Sequence, residues 1–369
     1  MVGLRPVMRG LAGMAIWSAA GLVLAAPPVS GQFAQTMRPT TAAKAQPVTQ
    51  APVSMVKRSL CVWDMMGQNG EIFAMMRDYQ VKAASMGVDF ELKPYVEEKI
   101  ASEDFRVKYC DAVIMTGLRV RPFNAFTGSI EAIAAIPTDE HMRKLITVLS
   151  APGSARYMQT DFDGQKYEVA GILPFGTAYA FVNDRKIDTV EEVNGKKIAI
   201  FDHDKAQAQL TKNLGALSDP SDVTNFSGKF NNGKVDIVIA PLIAYRALEL
   251  YRGMGKNGGV IDFNLAQVSL QVLIHPERFP AGFGQKSREY LASMYDKQLK
   301  MIQNHYHEIA EKDWIHITDA NRDRYQNMAR DARIRMIKDG IYDAKMMSLL
   351  RKIRCQMTPV LAECSLSGE

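Results

Sequence analysis

Short apolar runs bounded by turn residues alternate with segments of helical spacing through most of the chain. Leu60-Cys-Val-Trp63-Asp64 has the make-up of a buried strand, and Gly67-Gln-Asn-Gly70 that of a turn. Glu71 to Met86 carries Ile72, Met75, Met76 and Tyr79 at helical spacing, and Gly87 closes that helix. Val88 to Leu92 alternates as a strand, a polar helix runs from about Val96 to Val107, and an apolar strand follows Cys110-Asp111. This β-α-β-α-β order predicts a parallel sheet with right-handed crossovers. Residues 132–157 are expected to be helical. Tyr167 to Val182 has strand character broken at Pro174-Phe-Gly176.

The order then begins again. Thr189 to Gly195 predicts a short helix, Lys197 to Phe201 a strand, Ala206 to Leu214 a helix, and Asp236 to Ala240 a strand. Val268 to Ile274 is one more strand, and the pattern from Ser287 onward is almost all helix. Cys110-Asp111 and Val235-Asp236 each lead into an apolar strand that stops at small or turn residues. The repetition implies two α/β lobes with a ligand cleft between them, joined by long strands near 167–182 and 262–275. Lobe one is expected over 57–175 and 266–369, its C-terminal helices bracing the fold, and lobe two over 176–265.

The first residues differ from the rest. Arg5 and Arg9 precede an apolar run from Leu11 to Ala26 that Pro27-Pro28 ends. This is the order of a secretory signal peptide, expected over 1–31, with an uncleaved anchor as the alternative. Residues 32–56, part of a stretch rich in Pro, Thr, Ala and Gln, lack apolar periodicity and are expected to be a disordered tail. Export suits the four cysteines. Cys61 and Cys110 open strands that lie at one sheet edge if they are neighbours, and Cys355 and Cys364 are close in sequence. Bridges Cys61–Cys110 and Cys355–Cys364 are expected, one of three pairings, with four buried thiols as the alternative.

The formal net charge is only +5 over 369 residues, with 47% hydrophobic and 23% charged residues. There is no dense Lys/Arg run interleaved with aromatics, so nucleic acid is excluded as a partner. In open parallel sheets ligands sit beyond the carboxyl ends of strands. That rule selects Asp64, Asn69, Thr116, Arg119 and Arg121 in lobe one. In lobe two it selects Asp202, Asp204, Lys205, Asn225 and Tyr245. Arg119 and Arg121 could clamp a carboxylate, and alternation would turn both to the same side. Asp202-His203-Asp204 is better explained by Asp204 capping the next helix than by a metal. The sequence contains no G-x-S-x-G, P-loop, H-E-x-x-H or C-x-x-C. A binder without metal or cofactor is expected, and not an enzyme.

Four segments carry a family resemblance: Ser59-Leu-Cys-Val-Trp-Asp-Met-Met-Gly-Gln-Asn-Gly70, Ala135-Ile-Pro-Thr-Asp-Glu-His141-Met-Arg-Lys-Leu145, Thr189-Val-Glu-Glu-Val-Asn-Gly-Lys-Lys-Ile198 and Phe230-Asn-Asn-Gly-Lys-Val-Asp236. In their order the chain resembles periplasmic solute-binding proteins of the TRAP transporter type, in a proteobacterial branch of which some members carry an efflux label. The resemblance runs from about Lys57 to Cys364. It implies a two-lobed α/β binding protein that closes by a hinge on a small organic acid and delivers it to membrane transporter subunits. It also implies a carboxylate-binding Arg directly after Gly-x-Lys-Ile, where this chain has Ala199. If an acid binds, Arg119, Arg121 or Lys205 would have to replace that Arg. The alternative is a non-catalytic accessory partner of an envelope, efflux-type complex.

Overall fold

Leu60 to Trp63 are fully or almost fully buried because β1 (Val56–Trp63) is flanked on both edges by parallel strands. The computed structural model describes residues 55–366 and 368. The expected signal segment and nearly all of the expected tail lie outside the described residues. β1 begins at Val56, which already pairs with Val88. After it come α1 (Glu71–Ala84), β2 (Val88–Tyr95), α2 (Glu98–Arg106), β3 (Ala112–Thr116) and the one-turn α3 (Gly117–Val120). The buried residues of α1 include the four that share its expected face.

Residues 132–138 depart from the expected helix. Pro137 restricts the residue before it, and three carbonyls that a helix would use are taken by arginines. Arg333 donates to Ile133 O (3.0 Å) and Ala134 O (3.3 Å), and Arg354 to Ala135 O (2.8 Å). Helix α4 (Asp139–Ser150) therefore starts only after Thr138, whose hydroxyl accepts from His141 N. Then come α5 (Ala155–Met158), β4 (Gln159–Phe162) and the 18-residue β5 (Gln165–Val182).

The second repeat is β6 (Lys197–Phe201), α6 (Lys205–Asn213), β7 (Leu217–Ser221), α7 (Phe226–Asn231), β8 (Ile237–Pro241), α8 (Ile243–Ala247) and α9 (Leu250–Met254). β9 (Gly259–Ile261) and β10 (Ala266–Ile274) lead to α10 (Phe283–Ser293), α11 (Tyr295–Tyr306), β11 (Trp314–Ile315), α12 (Asp319–Lys338) and α13 (Ala344–Met357). β7 was not expected: Leu-Ser-Asp-Pro-Ser has no apolar pattern, but an edge strand needs none, and Pro220 is tolerated there.

The main path of the sheet is β2-β1-β3-β10-β5-β8-β6-β7. Parallel strands form each wing, and the antiparallel pair β10 and β5 lies between them. One apolar cluster runs from Leu60 and Trp63 through Leu173 to Ile198, Ile237 and Ile353, so the wings share it. A second, around Phe181, Phe226, Phe230 and Tyr245, belongs to the second wing. β5 and β10, which lie between the wings, are buried along most of their length. The expected bridges Cys61–Cys110 and Cys355–Cys364 are both present. Among the described residues no helix is long and apolar enough to cross a membrane.

Candidate functional site

The parallel strands of the two wings end around one hollow. Trp63 closes β1, Thr116 closes β3, Phe201 closes β6 and Pro241 closes β8, and all four line a cavity of about 120 Å³. β5 supplies the wall between them. Val268 pairs with Gly176 and Ser269 with Pro174, which leaves Phe175 as the extra residue of a bulge and a lining residue of the cavity. Gly176 takes φ +101° there, a conformation that favours glycine. Most of the remaining wall is apolar, including Leu118, Ile133, Phe226, Leu265 and Val268. A second hollow of about 380 Å³ lies against α11, with Tyr179, Met301 and His305 among its walls. It does not collect strand ends from both wings.

The cavity's polar groups are few and mostly committed. Arg121 donates to Asp204 Oδ1 at 2.8 Å and to Gly128 O at 2.9 Å, and its guanidinium lies over the Tyr342 ring. Asp204 also caps α6 by accepting from Ala206 N. Arg121 comes from the first wing and Asp204 from the second, so this ion pair ties the wings across the cavity. Glu98 accepts from Thr116 N at 2.7 Å and lies 3.6 Å from Arg119 Nε. Glu131 accepts from Ser269 N and Oγ through Oε1. Burial pushes its carboxyl from the ordinary 4.5 up to about 7, against the pull of Ser269 and Arg121. Gly117 makes room for it, since a Cβ there would sit 2.4 Å from Glu131 Oε1.

Of the residues selected from sequence, Thr116, Arg121 and Asp204 come together at the cavity, whereas Asp64, Asn69, Arg119, Asp202, Lys205, Asn225 and Tyr245 are not among its lining. Asn69 and Asp202 are exposed, the latter 3.3 Å from His203 Nδ1. Lys205 is an exposed first residue of α6. Asn225 accepts from Asp222 N within its own loop. Tyr245 stacks on Phe181 in the second cluster. Arg119 and Arg121 do not share a side by strand alternation, because Gly117–Val120 is a helical turn.

Asp64 is buried, with both oxygens engaged: Met66 N at 2.8 Å, Ile72 N at 2.9 Å and Phe73 N at 3.0 Å. It holds the start of α1 to the end of β1. Asp64→Ala is expected to lower the unfolding free energy by about 2 kcal/mol, since buried N–H groups lose their acceptor. Solute affinity is expected to stay the same. Urea unfolding and a binding titration check both, and lost binding at unchanged stability would make Asp64 a ligand contact.

Residues 74–369 match the family described as Solute-binding protein AdeT 1/2. The chain belongs to this family. Two relatives of Acinetobacter baumannii agree. The "probable solute-binding protein AdeT1" is 41% identical over 308 residues, covering 84% of this chain and 100% of that protein. The "probable solute-binding protein AdeT2" is 28% identical over 243 residues, covering 65% and 99%. Solved structures share the two-lobed fold. A TRAP periplasmic solute binding protein of Desulfovibrio salexigens with bound orotic acid gives a TM-score of 0.66 at 13% identity, covering 82% of this chain and 99% of that one. One of Haemophilus influenzae with bound L-gulonate gives 0.64 at 12%, covering 80% and 99%, and one of Shewanella oneidensis with bound succinate 0.65 at 8%, covering 81% and 99%.

In this AdeT-family chain, Ala199 is buried in the second apolar cluster. Sequence reasoning passed over Trp63, Glu98, Glu131, Phe175 and Tyr342, all of which line the cavity. Glu131 carried a readable sign, being a lone acid in the apolar stretch Ile130-Glu-Ala-Ile133. Glu98 carried none, because it is one of several acids in and beside a largely polar helix. Gly253-Met-Gly-Lys-Asn-Gly258 spells a dinucleotide-type glycine pattern, but it runs from α9 into β9 instead of from a strand into a helix.

Proposed function

We propose that this chain is a periplasmic solute-binding protein that holds a small anionic organic solute in the interlobe cleft and passes it, chemically unchanged, to membrane transporter subunits. The observation that carries this is the cavity at converging strand ends of both wings, spanned by the Arg121–Asp204 pair. Lobe one would comprise 57–175 and 266–369, lobe two 176–265, and the N-terminal segment would direct export. Family membership supports solute capture, and the acids bound to the fold's distant relatives support an anionic ligand. Closure of the lobes would bring Arg121 onto Asp204, and a solute that binds only the closed form would shift the population toward it.

Native mass spectrometry of the protein isolated from the periplasm is expected to show a stoichiometric small acid that denaturation releases. Arg121→Ala and Asp204→Ala are each expected to weaken its retention, and the double variant by less than the sum, because the two act as one contact. An empty protein that also fails to respond to a broad set of metabolites would count against solute capture and favour an accessory role in an envelope complex.

A further inference from the structure

Three buried polar atoms of residues that line the cleft have no hydrogen-bond partner: Trp63 Nε1, Arg121 Nη2 and Glu131 Oε2. Trp63 and Glu131 are 2% and 5% exposed, so neither reaches bulk water to compensate. A buried donor left unpaired is costly, and a ligand acceptor would recover that loss. Indole and guanidinium nitrogens only donate, so the group they lack is an acceptor. A carboxylate provides two oxygens.

Charge limits the number of such groups to one. Arg121 already meets Asp204 on one edge of its guanidinium, and Arg119 lies against Glu98. Arg121, with its other edge still open, is the one cation among the described lining residues, so a second carboxylate would find none. The wall away from these atoms is formed by Leu118, Ile133, Phe175, Phe226, Leu265 and Val268. Gln207 and Thr116 are polar exceptions in the lining, too few for a row of hydroxyls, most of which would lose their water without replacement.

We infer that the cleft selects small monocarboxylates with an apolar body, the carboxylate seated on Arg121 Nη2 and Trp63 Nε1 and the body against the apolar wall. This rests on the solute-capture reading and narrows it, away from dicarboxylates and polyhydroxy acids. Glu131 fits as a third donor when protonated, and its raised pKa keeps a proton within reach near neutral pH. The charged and titratable groups around it are Arg121 and Asp204, with Tyr342 behind Arg121. Ser269 on β10 holds its other oxygen. Neutralising Glu131 removes the repulsion that an incoming carboxylate would otherwise meet.

The test is isothermal titration of the full mature protein, freed of endogenous solute by dialysis. The probes are phenylacetate, 4-methylpentanoate, succinate, D-gluconate, 4-methylpentan-1-ol and 4-methylpentylamine. The first two are expected to bind, with the others weaker by about tenfold or more, the equivalent of one lost hydrogen bond to a charged group. Trp63→Phe is expected to weaken phenylacetate by about tenfold on the same basis. Should that variant fold poorly, the indole N–H resonance of Trp63 in the parent protein is expected to shift on adding phenylacetate. Tighter binding of succinate or gluconate would overturn the inference and leave solute capture standing. Tighter binding of the amine or the alcohol would overturn the carboxylate seat. No binding by any of the six, in a protein that is also empty by native mass spectrometry, would overturn both.

Discussion

Glu131→Gln is expected to make the protein more stable at pH 8 by roughly 3 kcal/mol while leaving stability near pH 4 unchanged, from a carboxyl whose pKa rises from 4.5 to about 7 on folding. The folded parent holds a proton on Glu131 between these two values, where the unfolded chain has released it. The stabilising contribution of that neutral carboxyl is therefore fully present below pH 4.5. It fades as pH rises and is gone above 7, where the folded protein keeps a buried carboxylate with one oxygen lacking a hydrogen-bond partner. Glutamine keeps the shape and can still accept from Ser269, but it has no charge to desolvate. Urea unfolding of parent and variant at several pH values measures the difference directly. A gap that does not widen between pH 4.5 and 8 would mean that Glu131 titrates at its ordinary value. The same measurement bears on ligand choice, because it locates the pH at which the cleft acquires a negative charge.

Replacing Cys61 and Cys110 together by alanine is expected to lower the unfolding free energy by about 4 kcal/mol, the loop-closure value for a bridge spanning 49 residues. The bridge between Cys355 and Cys364, nine residues apart, is expected to contribute less, about 3 kcal/mol. The longer loop matters beyond its length. Leu60 and Val62 pair with Ala112 and Ile114, so the bridge fastens β1 to β3, the strands that end in Trp63 and Thr116. Both sulfurs belong to fully buried residues, and alanine at each leaves a small void that adds to the loss. Chemical unfolding with and without reductant, set against the double variant, checks the value. An equal loss for the two bridges would show that the unfolded chain does not gain the freedom that loop length implies.

Much of the fold was legible because its strands and helices obey local rules. The four apolar positions of α1 lie on one face and are buried. Lys197 to Phe201 is a strand as its apolar pattern requires. Asp204 caps α6 as a short acceptor at that position should. The failures have one cause in common. Residues 132–138 looked helical, but arginines some 200 positions later take their carbonyls. β7 looked like a loop because an edge strand needs no apolar period. In each case a partner remote in sequence, or the lack of one, overrode the local signal.

The candidate site divides in the same way. Position at a strand's carboxyl end is a local property, and Thr116, Arg121 and Asp204, selected by it, line the cavity. Whether a charge there is free or spent is not local. The structure pairs Arg121 with an aspartate 83 positions away and sets Arg119 beside Glu98. The carboxyl of Glu131 is likewise shaped by Ser269, 138 positions later. By itself the sequence determined the repeated α/β order and the family, since these follow from periodicity and motif order, whereas the expected cysteine pairing depended on β1 and β3 lying side by side. Only the tertiary structure decided which polar atoms of the cleft remain unsatisfied. Hydrogen bonds and desolvation depend on what is near in space, and β5 and β10 bring together residues that the sequence keeps far apart.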